Sequence, residues 1–514
     1  MKPIRLMGGF LTVGAWTMMS RVLGFVRDAM ILAYLGTGPA YEAFVVAFRL
    51  PNMFRRFFAE GAFNMAFIPQ YSKRLEGDED ADGFASQAFS GLATVLILLT
   101  LLAQLVMPWL IYGLASGFAG QDQFDLSVFF GRIAFPYILF ISLAALLSGV
   151  LNANGRFAAA AAAPVLLNVL LVSAMVLAVV MGWDVAAALV WMIPVAGVAQ
   201  MVLVWIAAKR AGVRIRIQRP RFTPEMKQLV IVAVPAALAG GVVQINLLVG
   251  QQVASYFDRA VGWLYAADRL YQLPLGVVGI AIGVVLLPDL SRRLKAGDEA
   301  GSRNALSRAA EISLALTIPA AVALVVIPLP LVSVLFERGA MTADDSASIA
   351  VAVAIYGLGL PAFVLQKILQ PLFFAREDTK TPFHYAIWAM VVNAVLAVGL
   401  APVIGWTASA IATTVAAWAM VAQLSRGART FGDMARFDQR FKTRIWRITA
   451  AALAMGGILW WTHVALTPFL GMAGVRYGAL AVLVSVGIIS YFAIGQLIGA
   501  FRLAEFKGAM RRGG

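Results

Sequence analysis

About fourteen times along this chain, ~20 or more mainly apolar residues follow one another, the length a helix needs to cross the hydrocarbon core of a bilayer. The stretches lie near residues 8–35, 41–70, 85–115, 126–152, 158–182, 185–208, 225–254, 260–290, 305–336, 344–374, 381–401, 405–425, 444–467 and 475–501. Such a chain has too little polar surface to face water. Its composition agrees: 61% of the 514 residues are hydrophobic and 13% charged, with a mean hydropathy of +0.83, where a soluble domain averages about 45–50% and about 25%. The reading is an all-α polytopic membrane protein. Several stretches are longer than a span requires, which predicts tilted or kinked helices, with Pro51, Pro136, Pro274 and Pro361 as kink positions.

Composition removes several kinds of chemistry. The chain has no cysteine, hence no disulfide, thiol nucleophile or cysteine metal site. Its two histidines, His384 and His463, are far apart in sequence, and no metal site is expected. The formal net charge of +15 would suggest nucleic acid in a soluble protein. Here the loops account for it, and no nucleic-acid partner is expected. KRAGVRIRIQRPRFTPEMK after the sixth stretch, SRRLKAGDEAGSRNALSR after the eighth and SRGARTFGDMARFDQRFKTRIWR after the twelfth are strongly basic. The alternate loops carry little beyond Arg259, Arg338 and Arg476. By the positive-inside rule both termini are cytoplasmic. The basic start MKPIRLMGG leads into a long apolar stretch with no small-residue cleavage site, so it reads as the beginning of a retained first span.

The sequence also repeats itself weakly. FIPQYSKRL (67–75) is echoed by LLPDLSRRL (286–294), Arg49 and Pro51 by Arg269 and Pro274, and the proline ending GRFAAAAAAP by that ending AREDTKTP, all at an offset of about 220. The expected organisation is two pseudo-symmetric six-helix lobes, residues 1–219 and 220–440, followed by a helix pair, 441–514. An offset of six spans makes the repeats parallel, an arrangement that places a substrate cavity between lobes near mid-membrane.

Charges inside the apolar stretches are the candidates for function, because each costs roughly 2.5 kcal/mol or more at mid-depth. Counting helix rise, Arg21 lies ~20 Å and Arg27 ~28 Å along the first stretch. Arg49 lies ~12 Å and Arg55 and Arg56 ~21–23 Å along the second, and Asp268 and Arg269 ~10 Å into the eighth. Arg21 and Asp28, seven apart, share a helix face, and Arg56 and Glu60 are spaced to pair. The acids Asp28, Glu42, Glu60 and Asp268 do not balance Arg21, Arg27, Arg49, Arg55, Arg56 and Arg269. Arg49, Arg56 and Arg132 are as readily explained by snorkelling or helix locking as by a ligand. Arg21, Arg27, Arg55 and Arg269 are the stronger candidates, being deep and drawn from both repeats. A planar guanidinium fork suits phosphate, whereas a proton relay would favour Asp, Glu or His. A water-filled cationic cavity for a phosphate or pyrophosphate follows.

Other polar residues are weaker signals. Asn246, Gln251, Gln252 and Asn393 could coordinate a cation, but polar helix contacts explain them equally well. Lys367 reads as a snorkelling end residue, and Gly276, Gly279 and Gly283 as close helix packing without the lysine-serine of a phosphate loop. No ATPase motif, zinc site or nucleophile elbow is present, so the expectation is not an enzyme, with no catalytic residue and no cofactor.

SRVLGFVRDA (20–29), AFRLPNMFRRFFAEGAF (47–63), FPYILFISL (135–143), LNANGRF (151–157), YAADRL (265–270) and TKTP (379–382) resemble the MurJ/MviN family of the MOP exporter superfamily over essentially the whole chain. That family flips lipid II, the undecaprenyl-pyrophosphate-linked peptidoglycan precursor, across the bacterial inner membrane. The resemblance implies that Arg21, Arg27, Arg55 and Arg269 bind substrate. It also implies that Asp28, with Glu60 and Asp268, organises the cavity, and that the last two helices extend a groove for the polyprenyl tail. After ADRL this chain has Tyr271 and Gln272, where some members carry an acid at the latter position. Where some relatives bind sodium through acids in the seventh and eleventh spans, this chain offers Asn246 and Asn393. The implied cycle is alternating access, driven by membrane potential or a monovalent cation, with membrane lipids and a cell-wall synthesis complex as further partners. A flippase for another undecaprenyl-linked glycan of O-antigen or capsule type, and a cation-coupled multidrug exporter, are the rival readings.

Overall fold

The computed structural model describes residues 6–55, 62–77, 80–221, 223–231 and 248–501, without the side chains of 6–11, 62–66, 277–288 and 294–295. Among the described residues helix is the only regular structure. With no water in a bilayer core to meet backbone N–H and C=O groups, an apolar chain must satisfy them within each segment, and the helix does so. The helices are α1 (Leu6–Leu35), α2 (Pro39–Arg55), α3 (Ala62–Glu76), α4 (Ala81–Leu114), α5 (Asp122–Ala134), α6 (Tyr137–Ala153), α7 (Ala158–Met181) and α8 (Val185–Arg210). Then follow α9 (Ala260–Lys295), α10 (Glu299–Val326), α11 (Pro328–Phe336), α12 (Ala343–Phe374), α13 (Lys380–Ile404), α14 (Thr407–Ala428), α15 (Gln439–Leu470) and α16 (Arg476–Leu497). Residues 224–231 and 248–254 are also helical.

By length and composition, 10 helices among the described residues can cross a membrane, α5 and α6 counting as one span broken around Pro136. Pro51 and Pro361 lie within continuous helices. The outward faces are apolar: Leu105 is 77% exposed, Val180 76% and Leu497 84%. In water such surfaces would drive aggregation, so they identify a multi-pass membrane protein facing lipid. The helices carrying the candidate charges are not among the ten. α1 holds Arg21, Arg27 and Asp28, α2 has 17 residues, and much of the apolar half of α9 lies outside the described side chains.

The chain forms two compact units, one of Met1–Gly262 with Arg338–Met341, the other of Trp263–Glu337 with Thr342–Gly514. In the first, α1 packs along α7, α2 along α5, and α6 and α7 along α8. In the second, α12 packs on α10 and α14, α13 on α14, and α15 on α10 and α16. Its core joins Leu306, Leu314, Ile368, Leu372 and Leu424. A second cluster of Ile448, Met455, Leu459 and Leu483 seats the final helix pair, where the buried Tyr491 hydroxyl donates to the Ala315 carbonyl at 2.6 Å.

The basic segment after α8 is pinned rather than loose. Asp82 accepts from the Arg214 amide at 3.0 Å, Ser86 Oγ from the Arg216 amide at 2.9 Å and Ser90 Oγ from the Gln218 amide at 3.1 Å. Four helical residues rise ~6.0 Å and two extended residues ~6.6 Å. A side-chain acceptor every fourth position of α4 therefore meets every second amide of the segment. Replacing both serines by alanine is expected to remove about 1 kcal/mol per bond. Amide exchange at Arg216 and at Gln218 should each accelerate by about fivefold. Unchanged exchange there would show that the serines do not hold the segment.

Candidate functional site

α1 remains helical through SRVLGFVRDAM because the backbone bonds are made inside the segment, leaving the side chains to find partners elsewhere. Arg27 does so completely enough to be fixed. Its Nε and Nη2 donate to Asp28 Oδ1 at 2.9 and 2.6 Å, and its Nη1 donates to Asn168 Oδ1 on α7 at 2.8 Å. Asn168 Nδ2 donates back to the Ser20 carbonyl at 3.0 Å. The Arg27 and Asp28 side chains are 11% and 10% exposed. Spacing favours Asp28 with Arg21, two turns earlier. The structure pairs Asp28 with its neighbour Arg27, whose long stem lets the guanidinium curl back although the two Cβ directions diverge. Arg21 is half-buried and, among the described residues, makes no hydrogen bond or ion pair.

α2 contributes Arg55 as its last, half-buried residue. Glu60 and Arg56 lie outside the described residues. Earlier in the same helix, Arg49 donates to Gln251 Oε1. Glu42, 1% exposed, accepts from Gln123 Nε2 at 2.9 Å and from the Gly262 amide at 3.1 Å. Gln251 Nε2 also donates to the Leu114 carbonyl at 3.2 Å, and Gln252 Oε1 accepts from the Ser116 amide at 3.1 Å. These two amides therefore satisfy backbone groups at and just beyond the end of α4, the structural role that competed with cation binding.

On α9, in the second unit, the Arg269 guanidinium carbon lies 4.3 Å from the centre of the Tyr265 ring, a cation–π contact one helical turn away. Asp268 accepts from Gln272 Nε2, so the amide that stands where some relatives carry an acid is engaged along its own helix. Tyr271 packs against Tyr356 and Phe363, with ring centres 5.3 and 5.6 Å away. Asn393 is buried in α13, and Asn246 lies outside the described residues. Among the described residues, no three acids or histidines gather as metal ligands would.

By number, Arg21, Arg27, Arg49, Arg55 and Arg269 exceed Asp28, Glu42 and Asp268, the acids described in α1, α2 and the first half of α9. Chemically, the planar guanidiniums of the unit that α1 belongs to have the shape and charge that suit a phosphate oxygen. Asn168 is the residue that inspection of the sequence passes over. It is the lone amide in α7, and that isolation in an alanine- and leucine-rich span is the available signal.

Comparison with known proteins decides the family. The family model described as lipid II flippase MurJ matches residues 31–478. The chain belongs to the MurJ family. Its relatives include the probable lipid II flippase MurJ of Rhizobium tropici, 42% identical over 513 residues and covering 98% of this chain and 96% of the relative. The probable lipid II flippase MurJ of Rhizobium meliloti (strain 1021) is 43% identical over 515 residues, with 98% and 96% covered. Among solved structures, a lipid II flippase MurJ in an inward closed conformation has the same fold, with a TM-score of 0.80 at 22% identity over 95% of this chain and 98% of that one. An inward-facing multidrug resistance MATE family transporter of the MOP superfamily gives a TM-score of 0.69 at 15% identity, covering 82% and 98%. This chain thus shares its fold with both solved structures.

Proposed function

We propose that this MurJ-family chain flips lipid II from the cytoplasmic to the periplasmic leaflet of the bacterial inner membrane, with both termini cytoplasmic. Membership of the family across 31–478, at 42% identity to a whole-length relative, carries this reading. The site supplies its chemistry. Arg21, Arg27, Arg55 and Arg269 receive the pyrophosphate, while Asp28, Glu60 and Asp268 orient them. The polyprenyl tail stays in lipid, guided by α15 and α16. The two repeats, 1–219 and 220–440, are the bodies that alternate access, with 441–514 as an addition. The chain works as a transporter without a cofactor and not as an enzyme, since moving a headgroup breaks no bond. A net positive site crossing part of the membrane field couples at ~2.3 kcal/mol per charge per 100 mV, which supports the potential as a driving force over a bound cation. Cell-wall synthesis enzymes, which consume lipid II, are the natural associates.

An arginine surplus disfavours the multidrug alternative, whose substrates are mostly cationic, and the family match disfavours other undecaprenyl-linked glycans. Depletion of the protein in its host tests the proposal. Lipid II should accumulate on the cytoplasmic leaflet and growth should end in lysis. Unchanged lipid II exposure with a defect only in drug efflux or surface polysaccharide would overturn it.

A further inference from the structure

We infer that Asn168 is a positioning residue for substrate binding, acting through Arg27; this rests on the reading that Arg27 receives the pyrophosphate. A guanidinium has five N–H donors. Arg27 spends two on Asp28 Oδ1 and one on Asn168 Oδ1. Among the described residues nothing else accepts from it, so two remain, one on each Nη, and a pair of that kind suits a bidentate contact to phosphate. Asp28 alone would leave the head free to turn about its contact with a single carboxylate oxygen. The bond from Nη1 to α7 adds a second, separate anchor and fixes the guanidinium plane.

Asn168 is itself held. It is 5% exposed, its Nδ2 donates to the Ser20 carbonyl at 3.0 Å, and its side chain lies against Gly24, where an added Cβ would sit 3.6 Å from Nδ2. The amide thus bridges Ser20 and Arg27, about two turns apart on α1, with its oxygen committed to Arg27. The choice of an amide has an electrostatic consequence. Asp28 already offsets much of the Arg27 charge. A second carboxylate at 168 would still accept from Arg27, but it would lose the bond to the Ser20 carbonyl and turn the local charge against an anion. A neutral acceptor orients the cation without cancelling it.

The test measures binding of fluorescently labelled lipid II to purified protein in nanodiscs. Asn168→Ala should weaken binding by about tenfold, the loss of one hydrogen bond to a charged group. Asn168→Asp keeps the side-chain size and an oxygen for Arg27, so it needs no cavity in the fold. It should weaken binding at least as much as alanine, with the deficit growing as salt is lowered. In an Arg27→Ala background, Asn168→Ala should add nothing, because its effect runs through Arg27. A purely structural role would instead give additive losses. Either single variant binding like the wild type, or a further tenfold loss in the double variant, overturns the inference. If the wild type itself does not bind lipid II, the flippase reading fails rather than this one.

Discussion

Arg27→Ala is expected to reduce lipid II transport by about a hundredfold or more, the equivalent of two charge-assisted hydrogen bonds to a phosphate. Arg27→Lys should recover little of it. Lysine keeps the charge, but its single ammonium cannot serve Asp28, Asn168 and a ligand in one plane as the guanidinium does. The measurement is complementation of a depleted host together with a lipid II exposure assay, both normalised to membrane abundance. Abundance matters because removing Arg27 takes two charge-assisted hydrogen bonds from Asp28, a carboxylate that is only 8% exposed. The double variant Arg27→Ala, Asp28→Ala separates the two effects. It should restore abundance and leave transport lost. Should Arg27→Ala or Arg27→Lys, at normal abundance, transport like the wild type, the arginine does not grip the headgroup.

The class of fold was legible because the bilayer makes one demand that dominates all others. A run such as ATVLILLTLLAQLVMPWLIYGL in α4 has no other stable outcome, and local propensity hardly matters there. Arg21, Arg27, Arg55 and Arg269 were legible for the opposite reason: a charge at such depth has a cost that something must offset. Their partners were harder to read. Helix geometry gives spacing along one element, which favours Arg21 with Asp28, but the reach of an arginine stem is longer than the distance that separates helix faces. Asn168 is invisible to spacing altogether, since its contact with Arg27 depends on how α7 lies along α1. The serines of α4 illustrate the same limit. Ser86 and Ser90 read as ordinary small polar residues until the extended segment after α8 is laid against them.

Glu311→Ala should destabilise the protein by about 3–5 kcal/mol, the range for breaking a buried ion pair by removing one partner. Glu311, on α10, is 6% exposed and accepts from Arg308 on its own helix and from Arg440 and Arg444 on α15. Asp438 joins the group. It accepts from Arg308, donates its backbone amide to Ser307 Oγ at 3.0 Å, and caps α15 by accepting from the Phe441 amide at 2.7 Å. One carboxylate therefore holds together three guanidiniums that would otherwise repel. Alanine removes the acid that all three share, and Arg444, only 13% exposed, is the one least open to solvent. Thermal unfolding in detergent should shift down sharply, and membrane abundance should fall with it. Glu311→Leu combined with Arg444→Leu should recover much of the loss, because an apolar pair of similar volume avoids the desolvation that the ions bear. That recovery distinguishes a charge network from simple packing, for which the double replacement would be worse than either single one. Since α15 meets α10 through this network and through the apolar cluster around Met455 and Leu459, a Glu311→Ala protein that unfolds like the wild type would assign the seating of the last helix pair to that cluster alone.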